Sequence, residues 1–187
     1  MENKKVALIL APGYEEGEAL FTVDIIRRGG FDIDIVGLEG PQVTGAHDIT
    51  ALADTVFDGS LDGYDMVILP GGYGGAATMR DNDALRAALC KMDAEGKWVC
   101  AICAAPIVLD RAGLLDGKKF TCYPSTAAEI TAPGSQRVDD IVYVDGNRVY
   151  SQGPGTTLPF AYTLVDVLGG DGDKLREAML FNKMMSC

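Results

Sequence analysis

One stretch near the middle of the chain, residues 98–106, most constrains what this sequence can fold into. It reads Trp-Val-Cys-Ala-Ile-Cys-Ala-Ala-Pro, an apolar run followed by small residues and a proline. The run is typical of a buried strand, and proline is well tolerated at the first turn of a helix. The pattern therefore predicts that Cys103 lies at a strand-to-helix turn, the geometry of a nucleophile elbow.

Position alone leaves two interpretations of Cys103 open. At an elbow its thiol would point towards backbone N–H groups at the positive end of the next helix, and that setting favours the thiolate. Alternatively, Cys103 is a buried cysteine of a parallel strand, because free cysteine is among the most buried residue types. For Cys100, inside the apolar run, the buried interpretation is preferred.

Strands and helices alternate along the chain. Apolar runs predict further strands at residues 5–10, 32–38, 66–69 and 119–122, and helical periodicity predicts helices at 15–28, 82–95, after Pro106, after Gly155 and at 173–185. A small hairpin is expected within residues 40–60, and a second around Asp145-Gly146-Asn147. This alternation predicts a mainly parallel sheet covered on both faces, in one domain over residues 1–187.

Charge and cysteine content exclude several classes of function. The chain has 16 basic and 27 acidic residues, a net charge of −11, which argues against nucleic-acid and membrane partners because both need a basic face. No apolar run reaches membrane-spanning length, and the one after Lys4-Lys5 is too short for a signal peptide. The five cysteines lack the spacing of a disulfide framework and indicate reduced thiols in a cytoplasm.

Two further elements are expected at the carboxyl ends of the strands, where open α/β sheets bind ligands. Gly71-Gly72 follow a predicted buried strand. Such a pair is usually only a turn, but beside a cysteine elbow its N–H groups and that of Ala104 would form an oxyanion hole. Acidic residues in a helix's first turn are most often a solvated cap, but Glu18 lies one turn in. Beside a thiolate its carboxyl would be protonated and would donate a hydrogen bond to sulfur.

The usual activator of a catalytic thiol is missing from these elements. His47 is the only histidine, and its place in the predicted edge hairpin indicates a surface residue. A papain-like Cys–His pair is therefore not expected. Cys100 and Cys103 match a C-x-x-C motif, but Cys100 lies inside the strand, so a redox dithiol is disfavoured. A zinc site is disfavoured further, because no second pair of ligands exists.

Four motifs resemble, in their order along the chain, those of the ThiJ/PfpI family: Ala-Pro-Gly-Tyr-Glu-Glu-Gly-Glu at 11–18, Leu-Pro-Gly-Gly at 69–72, Ala-Ile-Cys-Ala-Ala-Pro at 101–106 and Gly-Pro-Gly-Thr at 153–156. The likeness is greatest to the branch that contains the human parkinsonism-associated deglycase and its bacterial relatives. It implies a flavodoxin-like three-layer sandwich of the class I glutamine amidotransferase type, usually a homodimer. It also implies Cys103 as the reactive residue, Glu18 as its hydrogen-bond partner, and the amides of Gly72 and Ala104 around the sulfur, with Gly71 beside them.

Two positions depart from this family pattern. Many members place a histidine near the cysteine, in a strand followed by proline, and Tyr123 stands at that position here. Some members carry an arginine before Gly-Pro-Gly-Thr, where this chain has Gln152. The first departure argues against peptidase activity. The second removes a charge that would help to bind an anionic group or to hold the dimer.

The resemblance implies a cytoplasmic, cofactor-independent Cys–Glu enzyme of reactive-carbonyl metabolism. Its substrates would be small dicarbonyls such as methylglyoxal or glyoxal, or glycated proteins. Cys103 would add to the aldehyde, Glu18 would move protons, and Tyr123 would lie beside the substrate. An alternative is an oxidation sensor or redox-regulated chaperone in which protonated Glu18 holds a Cys103 sulfinate. A cysteine peptidase is the weaker third possibility.

Overall fold

A computed structural model describes residues 4–186 of the chain. In this range the strands are β1 Lys5–Leu10, β2 Asp32–Gly37, β3 Gln42–Thr44, β4 Thr50–Leu52, β5 Thr55–Val56, β6 Met66–Leu69, β7 Trp98–Ile102, β8 Lys119–Phe120, β9 Gln136–Arg137, β10 Val142–Asp145 and β11 Arg148–Ser151. The helices are α1 Glu16–Arg28, α2 Tyr73–Asp81, α3 Asp83–Ala94, α4 Pro106–Arg111, α5 Thr157–Val167, α6 Gly172–Ala178 and α7 Phe181–Met185. Short 3₁₀ helices lie at Pro124–Glu129 and Pro154–Thr156.

Seven of these strands form the central sheet, in the order β10-β11-β7-β6-β1-β2-β5. All neighbours are parallel except β10, which runs antiparallel to β11. The hairpin expected within residues 40–60 is present as the antiparallel pair of β3 and β4. The predicted mainly parallel sheet is therefore confirmed.

Helices cover both faces of the sheet because successive side chains of a strand point to opposite faces. In β1, Val6 and Leu8 pack into the core shared with α1 and α5, whereas Ala7 and Ile9 pack into the core shared with α2, α3 and α4. All four side chains are fully buried. The result is the predicted three-layer sandwich, and strands buried on both faces explain why their sequences read as unbroken apolar runs.

The site is positioned by three adjacent strands, β1, β6 and β7. They are parallel and in register, with Leu8 opposite Ile68 and Leu69 opposite Ala101. Their carboxyl ends therefore lie along one edge of the sheet. The first turn of α1, the Gly71-Gly72 pair and Cys103 all follow at that edge.

The structure adds one helix to the predicted elements and corrects two of them. Residues 73–81, for which no element was predicted, form α2, and its small residues allow close packing: a Cβ on Gly75 would lie 3.0 Å from the nitrogen of Tyr14. The strand expected at 119–122 ends at Phe120 and pairs only with β9, outside the main sheet. The helix expected at 173–185 is divided by Leu180, whose φ of 61° lies in the left-handed region. None of the helices described within residues 4–186 has the length and apolar character to cross a membrane.

Candidate active site

The structure places Cys103 at the predicted strand-to-helix turn, directly after β7. Its φ is 62°, a left-handed conformation that costs energy for a residue with a side chain. Two hydrogen bonds hold it there: the N–H of Cys103 donates to the Ser151 carbonyl at 3.0 Å, and the Cys103 carbonyl accepts from the N–H of Tyr123 at 2.9 Å. The backbone on both sides is therefore fixed, and the half-buried sulfur takes one defined position.

Gly71 lies against the Cys103 thiol and leaves no room for a side chain. A Cβ there would stand 2.5 Å from the Cys103 Cβ and 2.6 Å from Oε2 of Glu18. Gly72, with a φ of 81°, is the N-cap of α2, and its N–H and that of Ala104 interact with the sulfur. The predicted pair of amides thus surrounds the thiol of Cys103, the arrangement that an oxyanion hole requires.

Glu18 points into the sheet edge from α1 and is fully buried. Its Oε2 accepts a hydrogen bond from the N–H of Gly71 at 2.7 Å, across 53 residues of sequence. Its other oxygen, Oε1, is buried and has no hydrogen-bond partner within the part of the chain that the structure describes. The carboxyl also lies within hydrogen-bonding reach of the Cys103 thiol. A proton on Glu18, directed at the sulfur, would satisfy this arrangement.

Burial controls the protonation of both groups. It raises the pKa of Glu18 from 4.5 to about 7, although hydrogen bonds from Cys103 and Gly71 oppose the shift. Burial also raises the pKa of the Cys103 thiol, and the charge of ionised Glu18 raises it further, whereas the N–H groups of Gly72 and Ala104 lower it. The expectation that the elbow alone favours a thiolate is therefore wrong: desolvation outweighs the amides. Two adjacent buried anions repel, so the pair retains a shared proton near neutral pH.

A cleft of about 500 Å³ opens above the thiol. Tyr123, at the position where many family members have a histidine, lies in its wall and is 45% exposed. His47, which the sequence indicated to be a surface residue of the edge hairpin, is exposed as expected but lies at this cleft with Glu15. Cys100 is fully buried within β7, as predicted.

Glu16 is the residue that the sequence reading missed. It is 6% exposed rather than solvated. Its Oε2 lies 2.8 Å from Nδ1 of His47, while its Oε1 accepts the backbone N–H of His47 at 2.7 Å. Nothing in the local sequence signals this pair, because it depends on how the β3–β4 hairpin folds over α1.

A group that could hold a metal ion lies at the same place. Within residues 4–186, Glu15, Glu16 and His47 form the one such cluster, with ligand atoms within 4.8 Å of one another. Because Glu16 and His47 are already hydrogen-bonded to each other, the geometry by itself assigns no ion to them. The expected absence of a metal site stays a prediction.

Comparison with known proteins finds relatives that point to one family. A sequence model described as the DJ-1/PfpI family matches residues 4–167. Protein dj-1beta of Drosophila melanogaster is 37% identical over 94% of each chain, and Deglycase TK1284 of Thermococcus kodakarensis is 32% identical over 88% of this chain and 99% of its own length.

Solved structures show the same relationship. The crystal structure of Drosophila melanogaster DJ-1beta superimposes with a TM-score of 0.90 at 34% identity, covering 95% of this chain and 98% of that one. A mutant of the DJ-1 superfamily protein STM1931 from Salmonella typhimurium gives 0.88 at 37% identity, covering 94% and 97%. The predicted ThiJ/PfpI resemblance and its flavodoxin-like fold are confirmed, and the chain belongs to the DJ-1/PfpI family.

Proposed function

We propose that this chain is an enzyme that acts on reactive dicarbonyls, or on the early adducts they form with proteins, through Cys103 and Glu18. One observation carries the proposal: a fully buried carboxyl with a pKa of about 7 lies beside the thiol of a strained elbow. A group with a pKa near the working pH is well suited to carry protons in both directions. The similarity to a relative named a deglycase supports the same class of chemistry.

The first step is the addition of the Cys103 sulfur to the aldehyde carbon of the substrate. A C–S bond forms, the π-electron pair of the carbonyl moves onto oxygen, and the N–H groups of Gly72 and Ala104 stabilise the developing charge. Glu18 accepts the proton that the thiol gives up as it becomes the nucleophile. Burial favours this transfer, because a neutral carboxyl costs less than a buried anion. The proton then passes to the oxygen of the adduct, which leaves a neutral hemithioacetal and a Glu18 carboxylate that can accept a proton in the next step.

The second step is an internal rearrangement that needs no oxidant. The hydrogen on the first carbon leaves as a proton and the neighbouring carbonyl carbon gains one, so an aldehyde and a ketone become a thioester and an alcohol. Water then hydrolyses the thioester and regenerates the thiol, which for methylglyoxal yields lactate. With a glycated amine, the amine would leave after the carbonyl carbon is transferred to sulfur.

The test is the formation of lactate from methylglyoxal by purified native protein and three variants. Cys103→Ser is expected to reduce turnover to background. Glu18→Gln keeps a hydrogen-bond donor but removes proton transfer, so a loss of roughly 10²–10⁴-fold in kcat is expected. Asp24→Asn is the matched control, because Asp24 lies on the same helix and pairs only with Arg28 on the described surface. Cys103-independent turnover, or an equal loss in Asp24→Asn, would contradict the proposal.

An oxidation sensor is the second candidate, and the position of Glu18 also favours it. A protonated carboxyl beside the sulfur can donate a hydrogen bond to a sulfinate oxygen. Mild peroxide is then expected to add two oxygen atoms to Cys103, each from one peroxide molecule. A disulfide with Cys100 is not expected, because that side chain is buried in the core between the sheet and α1. Peptide mapping separates these products.

Peptidase activity is the weakest possibility. Hydrolysis of a peptide requires an acid that protonates the leaving amine, and Tyr123 replaces the histidine best suited to that task. Native protein is therefore expected to convert dicarbonyls without cleaving unfolded protein. Cleavage of unfolded protein that depends on Cys103 would instead favour peptidase activity over dicarbonyl conversion.

A further inference from the structure

The rearrangement proposed for Cys103 and Glu18 leaves one proton transfer without an assigned group. The sulfur and the two amides hold the first carbonyl of a dicarbonyl substrate, and the second carbonyl lies one bond farther out. Glu18 is fully buried and does not line the cleft. A donor for the second carbonyl oxygen must therefore come from the wall of the cleft.

The wall offers few groups that can exchange protons near neutral pH. Tyr73 and Tyr123 offer only phenol hydroxyls, and the hydroxyl of Tyr73 already donates to Glu129 at 3.0 Å. Ser125 and Thr126 carry hydroxyls that do not titrate, and the carboxyl of Glu15 lies 3.7 Å from Nδ1 of His47. His47 carries the imidazole, the side chain best matched to this task.

Glu16 fixes His47 at this position through both of its carboxyl oxygens. Oε2 accepts a hydrogen bond from Nδ1 of His47 at 2.8 Å, while Oε1 accepts from the backbone N–H groups of His47 at 2.7 Å and Ile49 at 3.4 Å. The loop closes tightly over the carboxylate, since a Cβ on Gly45 would stand 2.3 Å from Oε1. A buried carboxylate on Nδ1 leaves Nε2 as the nitrogen that can face a substrate.

The charges around His47 favour its protonated form. The groups that face it are Glu16 and Glu15 from α1 and Asp48 from its own loop. The hydrogen bond to Glu16 makes the largest contribution and the charge of Glu15 the next, and both raise the pKa of His47. The pKa of Glu16 is lowered in turn: burial opposes its ionisation, but the hydrogen bonds from His47 outweigh it. The pair is thus a carboxylate and a readily protonated imidazole at the mouth of the cleft.

We propose that His47, held by Glu16, is the proton donor to the second carbonyl oxygen of the substrate, with Glu16 as its positioning residue. This inference rests on the proposed function. As the hydrogen on the first carbon leaves as a proton to Glu18, the electron pair of that C–H bond forms a C=C bond. The π pair of the second carbonyl becomes an O–H bond with the proton from Nε2. The neutral imidazole regains a proton from water after each turnover.

Two variants and a control test this role with methylglyoxal as substrate. His47→Gln is expected to lower kcat roughly 10²-fold with a smaller change in KM, and to remove the loss of activity at alkaline pH that a protonated donor produces. Glu16→Gln removes the anion that raises the pKa of His47, so the alkaline limb is expected to move to lower pH. Asp48→Asn is the control: of the charges that face His47, that of Asp48 raises its pKa least, so kcat and the alkaline limb are expected to change much less than in Glu16→Gln. Asparagine tolerates the positive φ of 63° at that position.

A third variant distinguishes the loss of proton transfer from a disturbance of packing in the loop around His47. His47→Ala should regain activity when free imidazole is added, whereas a collapsed loop would not respond. If native protein and Cys103→Ser are equally inactive on methylglyoxal, the proposed function fails and this inference fails with it. If turnover depends on Cys103 but His47→Gln keeps the native kcat and pH profile, only the role of His47 is refuted.

Discussion

Replacing Glu18 by glutamine should change how the stability of this protein depends on pH. Between pH 4.5 and about 7 the folded state holds a proton on Glu18 that the unfolded state has released. Stability falls with rising pH wherever the folded state binds more protons, so the free energy of unfolding should fall across this window. A shift from 4.5 to about 7 corresponds to about 3 kcal/mol at about 1.4 kcal/mol per pH unit.

Glu18→Gln removes this contribution because glutamine does not titrate. Relative to the native protein, the variant should gain about 3 kcal/mol of stability between pH 4.5 and pH 7.5. Urea unfolding of both proteins at intervals across this range measures the difference, and contributions from groups that do not interact with Glu18 cancel in it. Above pH 7.5 the thiol of Cys103 begins to contribute, so the comparison stops there.

Glu15→Gln is the control for this measurement. It removes a carboxylate from the same end of α1, but from a side chain that is 19% exposed and lies at the cleft rather than beneath the thiol. A stability difference between native protein and Glu18→Gln that stays constant from pH 4.5 to 7.5 would mean that Glu18 ionises as it does in the unfolded chain. The shared proton, and the acid–base role built on it, would then be refuted.

Two further substitutions test the geometry around the sulfur. Gly71→Ala should abolish turnover and destabilise the fold by about 1–3 kcal/mol, because its Cβ would collide with the Cys103 Cβ at 2.5 Å. Gly74→Ala is the control: its Cβ would lie 3.5 Å from its nearest neighbour, so it should keep native activity and stability in the same assays. Tyr123→Phe should change kcat/KM for methylglyoxal less than tenfold, because the half-exposed phenol is expected only to orient the substrate. A Tyr123→Phe variant as inactive as Cys103→Ser would instead make Tyr123 the acid.

The parts of the fold that depend on local pattern could be predicted from the sequence. Strands buried on both faces give unbroken apolar runs, so Lys5–Leu10 and Met66–Leu69 were recognisable with their bounds. Helix α2 was not, because the glycines that mark a loop locally are required here by a neighbouring segment. The break at Leu180 likewise has no signal, since leucine rarely adopts the left-handed conformation that it has there.

Some features of the site could be predicted from the sequence and others could not. The motifs brought Cys103, Glu18 and the glycines together because each follows the carboxyl end of a strand, and the ends of parallel strands share one edge. The raised pKa of the thiol could not be predicted, because desolvation depends on what the fold places over a group. The contact between Glu16 and His47 spans 31 residues and exists only once the hairpin is folded.

The backbone bonds at Cys103 also set an order of events during folding. The amide of Cys103 is bonded to Ser151 in β11, and β7 has β11 as its neighbour on that side of the sheet. Synthesis proceeds from the N-terminus, so Cys103 is made 48 residues before Ser151, whose carbonyl fixes its backbone. Pairings between distant segments form slowly because the intervening chain must first be closed into a loop. Until β11 has joined the sheet, Cys103 is an ordinary thiol of a nascent chain, and the site cannot act before the last strand of the sheet is in place.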